Sequence, residues 1–168
     1  MLDRINVQNN PVNAIDPLGL AEYLVVWDMR SATWEFGTLN VNGFVVDPKP
    51  IRSKTDGEIV GYNALKFRGG FVGGSISLPF SSSTANVAWF EDNLSKPNLY
   101  NIEGDSLISN NCPGSKTHFG NLIQKGMIRP GKGFNIELVS GFTGNIEAAN
   151  SSYVLSKEAY QGYLGGKP

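Results

Sequence analysis

Glycine occupies 20 of the 168 positions, and nine prolines and several Asn/Ser runs add to the breaks. Such residues favour turns over long regular elements, so the core has to come from many short pieces. Hydrophobic residues make up 40% and charged residues 17%, which suits one domain with a proper core.

The apolar patterning assigns the pieces. Residues 22–28 (EYLVVWD) are β-branched and aromatic and read as a buried strand. Residues 34–46 read as a hairpin, with Asn42-Gly43 as its turn. Two prolines and Asp56-Gly57 make 47–57 a loop, and 58–67 and 75–79 read as strands. Gly69, Gly70, Gly73 and Gly74 suggest a tight turn or close backbone packing. The period then changes. Val87, Phe90 and Leu94 recur at helical spacing behind the caps Ser81 to Thr84, and Lys96-Pro97 ends that helix. A second helix is predicted over Lys116 to Met127, with Phe119, Leu122 and Ile123 on one face. Asn110-Asn111-Cys112-Pro113 would start it. Residues 134–142 read as a strand, and Ser156 to Leu164 as a short helix. This order predicts an α+β fold, an antiparallel sheet with two or more helices.

Composition narrows the chemistry. The formal net charge is −1 and there is no basic stripe, so nucleic acid is not indicated as a partner. One cysteine precludes an internal disulfide, and one cysteine with one histidine leaves no zinc site. No phosphate-binding glycine loop occurs, so no cofactor is expected. No apolar run reaches the ~18–20 residues of a membrane-spanning helix. Met1 is followed by charged and polar residues, unlike a secretory signal peptide.

Asn9 to Leu20 reads NNPVNAIDPLGL. This resembles the closing motif of the Rhs core, the repeat-built shell of bacterial polymorphic toxins, with the DPxGL signature at Asp16, Pro17, Gly19 and Leu20. The resemblance covers about the first 20 residues. It implies that 1–20 is a remnant of the shell, cut after Leu20, and that 21–168 is a toxin domain. It further implies secretion inside an encapsulating Rhs shell, delivery into a target cell, and a cognate immunity protein as partner.

A second resemblance lies in ISLPFSSSTANVAWFEDNL, LYNIEGDSLISNNCPG and LIQKGMI. These segments are similar to the permuted papain-like cysteine hydrolases, which include the lecithin:retinol acyltransferase-like proteins. The resemblance implies Cys112 as nucleophile at a helix N-terminus, where the dipole and free N–H groups favour a thiolate. Asn111 would support it or the oxyanion. Thr38 stands where that group's histidine is expected, which leaves His118, the only histidine, as the base. The activity would be hydrolysis, acyl transfer or deamidation. Val25 to Arg30 resembles, in turn, the first strand of pertussis-like ADP-ribosyltransferases. That implies Arg30 as the dinucleotide-holding residue, Asn42-Gly43-Phe44 as the Gly-Phe element and Ser75-Ile76-Ser77 or Ser81 to Thr84 as the Ser-Thr-Ser strand. Glu137, Glu147 or Glu158 would be the catalytic acid. A payload acting by binding or on membranes is the third class.

Overall fold

The computed structural model describes residues 21–34, 36–75, 80–111, 114–130 and 139–165. The chain runs through β1 (Glu22–Trp34), β2 (Phe36–Arg52), β3 (Ile59–Ser75), β4 (Phe80–Asp92), β5 (Gly104–Asn111), β6 (Gly114–Phe119), β7 (Leu122–Pro130), β8 (Val139–Ala148) and β9 (Tyr153–Leu155). One helix, α1 (Lys157–Leu164), follows, and a 3-10 turn spans Leu99–Ile102. The strands are hydrogen-bonded in the order β2-β1-β4-β7-β6-β5-β8-β3, and β2 also pairs with β3. That last pairing closes an eight-stranded antiparallel barrel, with β9 extending the β3 side.

This corrects the α+β expectation with two or more helices and a permuted papain-like arrangement. The chain is mostly β, and among the described residues α1 is the only helix. Its position is the one foreseen: Ser156 caps it, its hydroxyl accepting from the N–H of Ala159 at 3.1 Å.

Alternation along the strands builds the interior. Tyr23, Val25, Trp27 and Met29 point in from β1, and Leu39, Val41 and Val45 from β2. An aromatic cluster plugs the centre. Phe119 lies 5.5 Å from Trp27, 5.6 Å from Phe90 and 5.6 Å from Phe67, centroid to centroid. These rings fill the barrel, so at this level it is a packed core, as in small closed barrels.

A second apolar layer lies outside the barrel. Leu24, Val26, Val46, Tyr62, Ala64 and Val87 face outward and are buried with Tyr160 of α1. Tyr62 and Tyr160 stack at 3.8 Å. Strands under α1 are therefore apolar on both faces, which erases their period of two. Ala88 and Phe90 point in, while Val87 and Trp89 belong to the layer beneath α1. This is why Ala85 to Asp92 reads as helical yet belongs to β4, with Asn93 and Leu94 in the loop beyond it.

The second expected helix, Lys116 to Met127, is instead the hairpin β6–β7. Phe119 pairs with Leu122 around Gly120-Asn121, and Gly120 has φ +52°. A side chain on Gly120 would run into the carbonyls of Asn101, Ile102 and Glu103. Asn42-Gly43, the expected turn, lies inside β2 instead. Gly43 sits opposite Trp27, and a Cβ there would collide with the backbone of Val26 and Trp27.

Two polar knots tie the barrel end near Glu22. Buried Asp92 accepts from the N–H of Leu94 at 2.8 Å, the N–H of Asn98 at 3.3 Å and Asn101 Nδ2 at 2.7 Å. It thereby shapes the loop from 93 to 102. Lys125 Nζ bridges Glu22 and Glu91 at 2.6 and 2.7 Å, and those two bonds hold its pKa above the usual lysine value.

Candidate functional site

Outward-facing positions of β2, β3, β8 and β5 form one wall of the barrel away from α1. Strand pairing aligns them in transverse rows. One row runs Arg30, Asn40, Gly70, Asn145 and Asp105. The row on one side carries Asn42, Arg68 and Glu147, and the row on the other Thr38, Val72, Thr143, Leu107, His118 and Ile123.

Three shallow depressions follow this wall. The first, about 700 Å³, includes Gly70, Val72, Asp105, Leu107, His118, Thr143 and Asn145 in its lining. The second, about 480 Å³, shares Gly70 and Asn145 with it and adds Asn40, Asn42, Arg68 and Glu147. The third, about 630 Å³, shares Asn42, Arg68 and Glu147 and continues to Lys66 and Asn150. Shared lining makes them one groove along β3 and β8. From Val72 to Lys66 it is roughly 20 Å long at about 3.4 Å per residue.

Gly70 forms the floor. Its Cβ position has nothing within 4 Å, unlike Gly69, Gly73 and Gly144, whose added Cβ atoms would press on neighbouring strands. The walls hold their polar groups loosely. Arg68 Nη2 meets Glu147 Oε2 at 3.5 Å with both side chains well exposed, and Asn145 Nδ2 donates to Asp105 Oδ1 at 3.4 Å. Two cations, Lys66 and Arg68, stand against two carboxylates, Asp105 and Glu147, so the groove is electrically balanced.

His118 closes the groove at its apolar end. It is half-buried on β6, between Leu107 and Ile123, which are 40% and 45% exposed. Its Nε2 is buried and has no hydrogen-bond partner. Ser106, beneath this end, locks β5 to the β6–β7 turn. Its hydroxyl donates to the Gly104 carbonyl at 3.0 Å and accepts from the Gly120 N–H at 2.9 Å.

The expected site residues fall as follows. Cys112 and the cleavage motif Asp16, Pro17, Gly19 and Leu20 lie outside the described residues, as do Ile76, Ser77 and Glu137. Asn111 ends β5 and pairs with Gly114, the start of β6. Cys112 is thus flanked by strands where a helix start was expected, and the helix dipole invoked for a thiolate is not supplied by its described neighbours. His118 lies four residues along β6 from Gly114, about 14 Å in an extended strand. Thr38 shares the row of His118 four strands away, about 19 Å at roughly 4.8 Å per spacing.

Arg30 is exposed on β1, three strand spacings and one further outward position from Glu147. Glu158 belongs to α1. Among the described residues no three His, Cys, Asp or Glu side chains cluster to hold a metal ion.

Sequence reasoning missed Asn40, Arg68 and Asn145, and gave Gly70 and Asn42 other roles, close backbone packing and a turn. Their signal was the period of two in Asn40-x-Asn42 and Arg68-x-Gly70-x-Val72, which puts each set on one face of a strand. No family model matches the chain, and neither the curated proteins nor the solved structures contain a match.

Proposed function

We propose that residues 21–168 are the payload domain of an Rhs-type toxin, secreted in its shell and delivered into a target cell. There the domain acts through the outer groove that ends at His118. The NNPVNAIDPLGL sequence just before β1 supports the toxin assignment. The position of His118 supports the groove: the half-buried imidazole borders its apolar end beside Leu107. The depression at that end is open and about 700 Å³, within the volume range of ligand-binding clefts. A cognate immunity protein would protect the producing cell by covering this wall.

A second reading keeps Cys112 as nucleophile of a hydrolase, acyltransferase or deamidase. It rests on Cys112 being the only thiol in the chain. Expression of 21–168 from a repressed promoter in bacterial cytoplasm tests both. His118→Ala should abolish killing while the circular dichroism spectrum stays that of the wild type. Full killing by His118→Ala removes the groove reading. Loss of killing by Cys112→Ala, in a folded protein, moves the weight to thiol chemistry, and loss by Arg30→Ala alone moves it to ADP-ribosyl transfer.

A further inference from the structure

We infer that the groove along β3 and β8 binds a neutral, hydroxyl-rich chain, an oligosaccharide, with its rings seated over Gly70. This inference rests on the groove being the working surface of the domain.

The side chains point to that ligand class. Asn40, Asn42 and Asn145 each present a donor and an acceptor, as hydroxyl groups require of their partners. Arg68 and Glu147 are paired weakly at 3.5 Å, so each retains capacity for an incoming hydroxyl. The charges cancel along the groove. A polyphosphate or nucleic acid needs a net positive track, which is missing here. An extended peptide needs unpaired backbone for strand addition. Here the backbones of β3 and β8 are paired with each other, and their far sides with β2 and β5. That leaves side-chain recognition of a polar, uncharged chain.

The shape agrees. Gly70 removes the one side chain that would stand in the middle of the floor, and nothing else fills its place. At one end Val72 and Leu107 offer exposed apolar surface for the C–H face of a ring. His118 lies beside Leu107 and borders the same end.

The test uses hexamers of glucose and of N-acetylglucosamine, added to the full chain and followed by NMR. The Gly70 amide and the carboxamide signals of Asn40, Asn42 and Asn145 should shift saturably with at least one hexamer. Gly70→Val, whose Cβ meets nothing within 4 Å, should keep the melting temperature and weaken that hexamer at least tenfold. Asn145→Ala should weaken it as well. Absence of shifts with both hexamers overturns the saccharide assignment, and so does unchanged affinity in Gly70→Val. Killing by Gly70→Val separates the two levels. If killing is lost and neither hexamer binds the wild type, the groove is the working surface but its ligand is not a saccharide. If killing persists while hexamer binding is lost, the saccharide site stands and the toxin acts elsewhere.

Discussion

Three neighbouring residues on β6 and β7 decide between a barrel and a helix here. In the predicted helix, Phe119, Leu122 and Ile123 would share one buried face. In the barrel, Phe119 and Leu122 are 0% exposed inside, and Ile123 is 45% exposed outside. Phe119 touches three other rings, at 5.5 to 5.6 Å. Each such pair contributes about 0.5–1.5 kcal/mol beyond burial. Phe119→Ala should therefore cost about 3–5 kcal/mol, a large share of the roughly 5–15 kcal/mol of a typical domain. Phe119→Leu keeps the apolar bulk but loses the ring pairs, so it should cost about 2 kcal/mol. Leu122→Ala should cost about 2–5 kcal/mol. Ile123→Thr keeps a β-branched side chain on a water-facing wall and should stay within about 0.5 kcal/mol. Urea denaturation followed by circular dichroism measures all four, with the slope checked for constancy. The melting temperature should fall by about 12 °C in Phe119→Ala, at roughly 3 °C per kcal/mol. A loss in Ile123→Thr equal to that of Leu122→Ala would refute the inside-outside assignment of this hairpin.

Other consequences are open to direct measurement. Burial raises the pKa of Tyr23, Tyr62 and Tyr160 above the ordinary tyrosine value of about 10, helped in Tyr23 by Asp92 and Asp47. Their contribution to stability is complete below pH ~10 and is lost as pH rises beyond it, because the unfolded chain ionises these phenols first. The urea midpoint should thus drop between pH 9 and 11, and Tyr160→Phe should flatten that drop. The same substitution removes a buried hydroxyl without a partner, so at pH 7 it should leave the melting temperature unchanged or raise it. Asp92→Ala strips three donors of their acceptor and should cost about 3 kcal/mol by urea unfolding. Gly43→Val should leave too little folded protein to purify, because its Cβ meets the backbone of Val26 and Trp27. Recovery of a protein as stable as wild type would contradict that packing.

What the sequence discloses depends on how many faces of a strand are covered. Leu39 and Val41 alternate with exposed Asn40, and that stretch reads as a strand, whereas Asn42-Gly43 reads as a turn and lies inside the same strand. Val87 to Phe90 are covered inside by the core and outside by the α1 layer, so the same physics produced a continuous apolar run that mimics helix. Gly120-Asn121, between Phe119 and Leu122, is a hairpin dipeptide, but the helix reading rests on the spacing of Phe119, Leu122 and Ile123 and takes no account of it. Gly43 misled in the opposite sense, since a glycine needed for close approach looks the same as one needed for a turn. Of the candidate site, His118 was visible as the only histidine. The groove was not, because its residues come from β2, β3, β5, β6 and β8 and meet only through pairing between strands far apart in sequence.

Closure of the barrel depends on late residues. From Phe67 to Ser75, β3 takes its second partner from β8, which ends at Ala148, and α1 covers the outer layer later still. A chain emerging from the ribosome can assemble the β1–β2–β3 meander early, but its β3 flank stays bare until β8 arrives. Bare flanks of this kind recruit other chains. A C-terminal truncation before Ala148 should therefore give aggregates, not a weakened payload. For synthesis, the domain is an all-or-none object whose last fifth decides the fate of the rest.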